Sequence, residues 1–122
     1  MKKHTHAHMA RRKMSHIIDE LYTAFFRAGG REVELRLLRE MEGLRLQVVG
    51  DYAPENQHMM ESMAELLQPE VRNPALVEAY WELAGGDQYT SDSELNLVGQ
   101  MLDSASVELR DGKVIMDLYL AV

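Results

Sequence analysis

The chain has 122 residues, which is enough for one compact domain and too few for two independent cores. Apolar residues make up 46% of the sequence and charged residues 27%, a composition that excludes disordered and fibrous proteins. The absence of cysteine excludes disulfide scaffolds, thiolate metal centres and cysteine nucleophiles. No apolar run reaches the roughly 18 residues of a membrane span, and no signal peptide is visible, so we expect a cytoplasmic protein without a membrane partner.

The net charge of −7 is unevenly distributed along the chain. Residues 1–13 contain five lysines and arginines and no acid, whereas the remaining residues sum to −12. An acidic body repels phosphate backbones, so nucleic acid is not expected as a partner. We interpret residues 1–9 as a flexible basic arm or a purification tag, and residues 10–122 as a single domain.

The N-terminal arm contains three alternating histidines, His4, His6 and His8. In an extended chain their imidazoles lie on one side and can bind zinc, nickel or copper. A basic N-terminus of this kind is more typical of a tag, or of a flexible arm with adventitious metal affinity. We therefore predict no physiological metal site.

The first element predicted along the chain is a helix over about residues 10–28. Its apolar residues recur at intervals of three and four, which places them on one helix stripe: Met14, Ile17, Ile18, Leu21, Tyr22 and Phe25. Gly29 and Gly30 end this helix, because glycine adopts the left-handed conformation that closes a helix.

Two pairs of strands are predicted from alternating apolar and polar residues. In the first pair, residues 33–37 and 44–48 flank a short link at residues 40–43, which predicts an antiparallel hairpin. The second pair, residues 107–109 and 114–120, is joined by Asp111-Gly112, a dipeptide typical of a type I′ turn.

Three further helices are predicted between the two hairpins. The second helix follows the apolar spacing of residues 59–67 and ends before Pro69. The third spans about residues 74–84. Ser91 and Glu94 have the spacing of a capping box and begin the fourth helix.

The resulting order α-β-β-α-α-α-β-β predicts an α+β protein. Because both hairpins are amphipathic with a period of two, they can join edge to edge into one sheet. We predict a two-layer α/β sandwich, a four-stranded, mostly antiparallel sheet with helices on one face. The other face is expected to remain in water because it carries Arg36, Arg45, Gln47, Glu108, Asp117 and Tyr119.

Three segments resemble motifs of the histidine-kinase-like ATPase domain, the GHKL superfamily. Residues 20–24 (Glu-Leu-Tyr-Thr-Ala) look like its first motif, a helix reading Glu-Leu-x-x-Asn-Ala. Asp51 follows the first hairpin, where the family has its adenine-binding aspartate. Residues 93–98 resemble its second glycine motif, Gly-x-Gly-Leu. The resemblance covers about residues 15–120 and implies the histidine-kinase-like ATPase fold, as in histidine kinases and bacterial serine-kinase anti-sigma factors.

The resemblance implies ATP or ADP as the ligand and roles for three residues. Glu20 matches a residue that activates a water in some relatives. Asp51 matches the residue that accepts a hydrogen bond from the adenine amino group. Asn96 stands in the glycine motif, beside the position of the phosphates.

Two departures from the family pattern affect its chemistry. The asparagine that coordinates Mg²⁺ in the family is replaced by Ala24, which has no ligand atom. Glu94 and Asn96 stand where glycines normally let backbone amides approach phosphate, and Glu94 adds a repelling charge. We therefore predict no catalytic residues and no required cofactor.

Three hypotheses for function follow. The leading one is a degenerate histidine-kinase-like ATPase domain that acts in signal transduction as a non-catalytic regulatory or protein-binding module, with at most weak adenine nucleotide binding. The alternative is a functional ATP-binding serine kinase or anti-sigma factor whose metal ligand comes from Asn56 or Asn96. The third is an α+β interaction domain with no nucleotide history.

The expected partner is a regulatory protein. Met60 lies off the apolar stripe of the second helix and Tyr89 lies beside a glycine loop, so both are candidate contact residues. Members of the family often associate, so the resemblance is compatible with a homodimer. The sequence does not identify an interface.

Overall fold

The computed structural model describes the backbone of residues 2–72 and 91–122 and the side chains of residues 9–72 and 94–122. Its elements, in chain order, are helix α1 (Lys2–Arg27), strands β1 (Val33–Glu40) and β2 (Gly43–Asp51), a 3-10 turn (Pro54–Asn56), helices α2 (Gln57–Leu67) and α3 (Ser91–Met101), and strands β3 (Ser104–Arg110) and β4 (Lys113–Ala121). The predicted helix over residues 74–84 and Tyr89 lie outside the described residues.

Helix α1 is longer than its sequence pattern indicated. It begins at Lys2 instead of near residue 10, so residues 2–9 are helical where the sequence predicted a flexible arm. This segment contains no glycine or proline, the residues that most strongly oppose helix formation, and the helix therefore continues toward the N-terminus.

The C-terminal end of α1 is a Schellman motif at the predicted glycine pair. Gly29 has φ 84° and its N–H donates to the Phe26 carbonyl (3.1 Å), while the Gly30 N–H donates to the Phe25 carbonyl (2.8 Å). These bonds satisfy the last carbonyls of the helix and turn the chain back toward the sheet. The predicted helix end is confirmed.

The four strands form one antiparallel sheet in the order β1-β2-β4-β3. Both predicted hairpins are present. The second turns at Asp111 and Gly112, whose φ angles of 54° and 76° fit a type I′ turn. Strands β2 and β4 are central and β1 and β3 are the edges, so the predicted two-layer α/β sandwich is confirmed.

The core lies between the sheet and the three described helices. Helix α1 packs on β2, β4 and α3, and α2 packs on β3 and α3. The largest fully buried side chains are Met14, Ile17, Leu21, Phe25, Leu46, Val48, Met60, Met63, Leu67, Leu102, Met116 and Leu118. Within the described residues, no helix is both long and apolar enough to cross a membrane.

Helices α2 and α3 approach each other at Gly99. A Cβ at this position would collide with the carbonyl oxygen of Leu66, so the close packing requires glycine. The Arg72 side chain donates to the Gly99 carbonyl (3.1 Å), and the Gln100 amide donates to the Val71 carbonyl (3.2 Å). These contacts hold α2 and the segment after it against α3.

The opposite face of the sheet is polar, as predicted. Arg45 donates to Glu40 (2.8 Å) and to Asp117, and its guanidinium lies 5.1 Å from the centre of the Tyr119 ring. The bonds to Glu40 and Asp117 raise the pKa of Arg45, because they favour its charged form. The charged groups on this face bind one another. The candidate binding cavity lies on the other side of the sheet, among the helices.

Candidate functional site

A cavity of about 420 Å³ lies between α1, α2 and the beginning of α3. The apolar part of its described lining is Ala24, Met59, Met60, Met63, Leu66 and Leu95. The polar part of the same lining is Glu20, Arg27, His58, Ser62 and Glu65. A mostly apolar cavity with a few polar groups is typical of a binding site.

Two of the segments that resemble the ATPase motifs meet at this cavity. Glu20 and Ala24 reach it from α1, one helical turn apart, and Leu95 reaches it from the first turn of α3. Glu94, the residue before Leu95, is buried, with 7% of its surface exposed. The fold thus brings together residues that are far apart in the sequence.

Glu94 belongs to a polar cluster between α1 and α3. Its Oε2 lies 2.9 Å from Nε2 of His16. Glu20, one turn after His16 on the same side of α1, completes a group whose ligand atoms all lie within 4.8 Å of one another. Burial and the nearby Glu94 carboxylate raise the pKa of Glu20, since both disfavour its charged form.

The donor set of this cluster is one that a divalent cation can use. One imidazole and two carboxylates are ligands that zinc and similar ions accept. This group was not predicted from the sequence, because His16 lies outside the segments that resemble the ATPase motifs. The spacing of four residues between His16 and Glu20 places them on one side of a helix, and this much could be predicted from the sequence. The proximity of Glu94 depends on tertiary packing.

The same residues do not fit magnesium-ATP. Ala24 presents a methyl group where the resemblance calls for a metal ligand. The Glu94 carboxylate is bonded to His16 and stands where the family pattern has a small residue beside the phosphates. The cavity lining itself contains two carboxylates, Glu20 and Glu65, and carboxylates repel phosphate oxygens at short range.

Asp51 lies at the end of β2 and is not among the described residues that line the cavity. Its Oδ1 accepts hydrogen bonds from the backbone N–H groups of Arg31 (2.7 Å) and Glu32 (3.0 Å). The bonds from Glu32 and Arg31 lower the pKa of Asp51, because they favour the carboxylate. Asp51 therefore ties the α1–β1 connection to the end of β2.

Neither of the candidate asparagines lines the described part of the cavity. Asn96 is exposed on α3. Asn56 donates its side-chain amide to the Ala28 carbonyl (3.0 Å), so it fastens the turn after β2 to the end of α1.

Met60 differs from its predicted position. The side chain is 1% exposed, whereas Met59 is 37% exposed, so Met60 is on the buried stripe and Met59 is off it. The stripe runs through Met60, Met63 and Leu67, because α2 packs against both α3 and β3. As a result Met60 belongs to the cavity wall instead of the outer surface.

Comparisons with known proteins found no match. No protein-family model matches this chain, and no curated protein or solved structure is significantly similar to it. The resemblance to histidine-kinase-like ATPases thus rests on the motif residues alone.

Proposed function

We propose that this chain is a degenerate histidine-kinase-like ATPase domain that works in the cytoplasm as a non-catalytic regulatory or protein-binding module. The observation that carries the proposal is the contact between His16 and Glu94, because the next residue in the chain, Leu95, lines the cavity together with Ala24. The carboxylate that stands in the segment resembling the glycine motif is thus bonded to an imidazole.

Electrostatics disfavours a triphosphate at this position. Phosphoryl transfer needs a metal ion and hydrogen-bond donors aimed at the phosphate oxygens. A carboxylate about 4 Å from a phosphate charge costs about 4 kcal/mol at an effective dielectric constant of about 20. One additional hydrogen bond contributes only about 1 kcal/mol, so it does not offset that repulsion.

The rest of the cavity suits an apolar ligand. Three methionines and two leucines contribute to its described lining, and methionine side chains adapt to varied shapes. Such a cavity can accept an apolar side chain of a regulatory protein, or an adenine ring with low affinity.

Isothermal titration calorimetry with Mg-ATP and with ADP tests this proposal. We expect dissociation constants weaker than about 10 μM, which corresponds to less than about 7 kcal/mol of binding free energy. Tighter binding of Mg-ATP would instead support a functional ATP-binding serine kinase or anti-sigma factor.

A charge-neutral variant tests the physical reason. Glu94→Gln keeps the size of the side chain and removes its charge, so we expect tighter binding of Mg-ATP than in the original chain. Glu108→Gln, at an exposed position of edge strand β3, is the matched control and should leave the affinity unchanged. Unchanged or weaker binding by Glu94→Gln would contradict repulsion by this carboxylate.

A further inference from the structure

An apolar surface is left uncovered beside strand β1. Leu35 and Leu37 are 39% and 50% exposed, and Tyr22 and Phe26 of α1 are 38% and 52% exposed. We call these four residues, together with the partly buried Ile18, the β1 surface. Several large apolar side chains at one place are more typical of an interaction site than single exposed ones.

The two leucines face the helix layer. Leu35 is opposite Val48 on β2, and Leu37 is opposite Leu46, and both partners are fully buried. Residues directly opposite each other in an antiparallel pair point to the same side of the sheet. The apolar layer of the core is therefore exposed to solvent at this edge of the sheet.

Helix α1 extends the same surface. Ile18, Tyr22 and Phe26 are spaced by four residues, so they lie on one side of the helix. Ile18 lines a groove together with Leu37, which places this side of α1 next to β1. The rings of Tyr22 and Phe26 meet edge to face with their centroids 6.0 Å apart.

Strand β1 is also an edge of the sheet. No strand of the described residues pairs with its outer side. An edge of this kind can accept a further strand through main-chain hydrogen bonds, and the side chains decide which strand fits. On the open face of β1, Glu34 and Arg36 alternate in charge at a spacing of two residues.

A second copy of β1 has the complementary charges. When a two-fold axis perpendicular to the sheet passes through Leu35, Glu34 of each copy lies opposite Arg36 of the other. An axis through Arg36 would place two arginines opposite each other. An axis through Leu37 would place Glu34 opposite Glu40. An axis through Leu38 would also pair Arg36 with Glu40, but Glu40 is already bonded to Arg45, and Leu37 would lie opposite Arg39. Charge and apolar complementarity together therefore select the register centred on Leu35.

We propose that two copies of this chain pair antiparallel through β1 about Leu35 and form one continuous eight-stranded sheet. In this register Leu35 meets its own counterpart, and Val33 meets Leu37 of the other copy. The α1 helices of both copies lie on the same side, so Tyr22 and Phe26 cover these pairs. The inference is independent of the proposed function, because this surface is separate from the cavity.

Sedimentation equilibrium of the full chain, with charge-reversal variants, tests the dimer. We expect the original chain to sediment at twice its monomer mass. Arg36→Glu or Glu34→Arg alone places like charges opposite each other twice, and each should weaken dimerisation about tenfold or more. The double variant restores opposite charges and should restore the dimer. Glu108→Arg, a charge reversal on the other edge strand, is the control and should leave the dimerisation constant unchanged.

Three results would overturn the proposal: an original chain that is monomeric throughout the micromolar range, a dimer that neither single reversal weakens, or a double variant that stays monomeric. Glu34 and Arg36 are exposed, so we expect the variants to keep the melting temperature of the monomer. Leu35→Lys is a second, independent variant, because it brings two ammonium groups together at the axis. A dimer unaffected by this change would also overturn the proposal.

Discussion

The two edges of the sheet have similar sequences and different surroundings. Strand β3 is covered by α2, and its alternate apolar residues 105, 107 and 109 pack against the core. The Val107 N–H on that strand donates to the side-chain Oε1 of Gln68 (3.3 Å). Strand β1 has the same alternation, yet Leu35 and Leu37 are about half exposed.

The difference between the edges comes from the helices and not from the strands. Helix α2 lies on β3, whereas α1 lies on the central strands and presents only its flank to β1. An alternating pattern predicts which side of a strand is apolar, but the helix packing decides whether that side is covered. The uncovered edge is the one at which a further strand can add.

Truncating two neighbouring leucines should give the largest contrast. Leu46 and Leu37 are opposite each other in the sheet, and only Leu46 is fully buried. Leu46→Ala leaves a cavity and should lower the free energy of unfolding by about 2–5 kcal/mol. Leu37→Ala should cost about 1 kcal/mol or less in the monomer. Urea unfolding at low protein concentration measures both, and equal losses would contradict the difference in coverage.

Gly99→Ala should loosen the covered side of the molecule. The added methyl group collides with the Leu66 carbonyl, and overpacking of this kind costs about 1–3 kcal/mol. Alanine regains about 1 kcal/mol of helix propensity, so we expect a net loss of up to about 2 kcal/mol in chemical unfolding. Asn96→Ala, exposed on the same helix, should change the stability by less than about 0.5 kcal/mol. A stabilised Gly99→Ala protein would show that α2 and α3 are not in close contact.

Gln68→Ala should leave the outer side of β3 less protected, as the outer side of β1 already is. The variant removes the acceptor of the Val107 N–H, a hydrogen bond at the surface that contributes about 1 kcal/mol or less. We expect faster hydrogen exchange at Val107, with little change at the amides of β4. Unchanged exchange at Val107 would mean that Gln68 does not protect this edge.

Glu20→Gln should produce the smallest effect, visible as a pH dependence. Folding raises the pKa of Glu20 above its ordinary value of 4.5, mainly by burial. The charged form is thus disfavoured in the folded state, and stability falls as the pH rises from about 4.5 through the folded pKa. Relative to the original chain, Glu20→Gln should have a higher melting temperature at pH 7 and nearly the same one at pH 4. A larger gain in melting temperature at pH 4 than at pH 7 would contradict a raised pKa of Glu20.

Most of the fold could be predicted from local sequence patterns. The alternation in the two hairpins, the Asp111-Gly112 turn and the Gly29-Gly30 helix end all depend on neighbouring residues, and the structure confirms them. The start of α1 was not predicted, because the alternating histidines suggested an extended arm. Intrinsic helix propensities are small, and residues 2–9 have no apolar stripe, so nothing local predicts that they are helical.

The site depended on information that a single sequence does not carry. The contact between His16 and Glu94 joins two helices that are far apart in the chain, and no spacing rule predicts it. The prediction places Met60 on the wrong side of α2, because five methionines and leucines in eleven residues allow more than one apolar stripe. The exposure of Tyr22 was missed for a related reason: the apolar stripe of α1 is wider than the surface that the sheet and α3 cover.

The claim that this cavity has lost its phosphate chemistry is tested most directly by a crystal structure determined after soaking with Mg-ATP. We expect no ordered triphosphate beside Ala24, and His16 and Glu94 should still be bonded to each other. An ordered magnesium triphosphate between Ala24 and the start of α3 would contradict it.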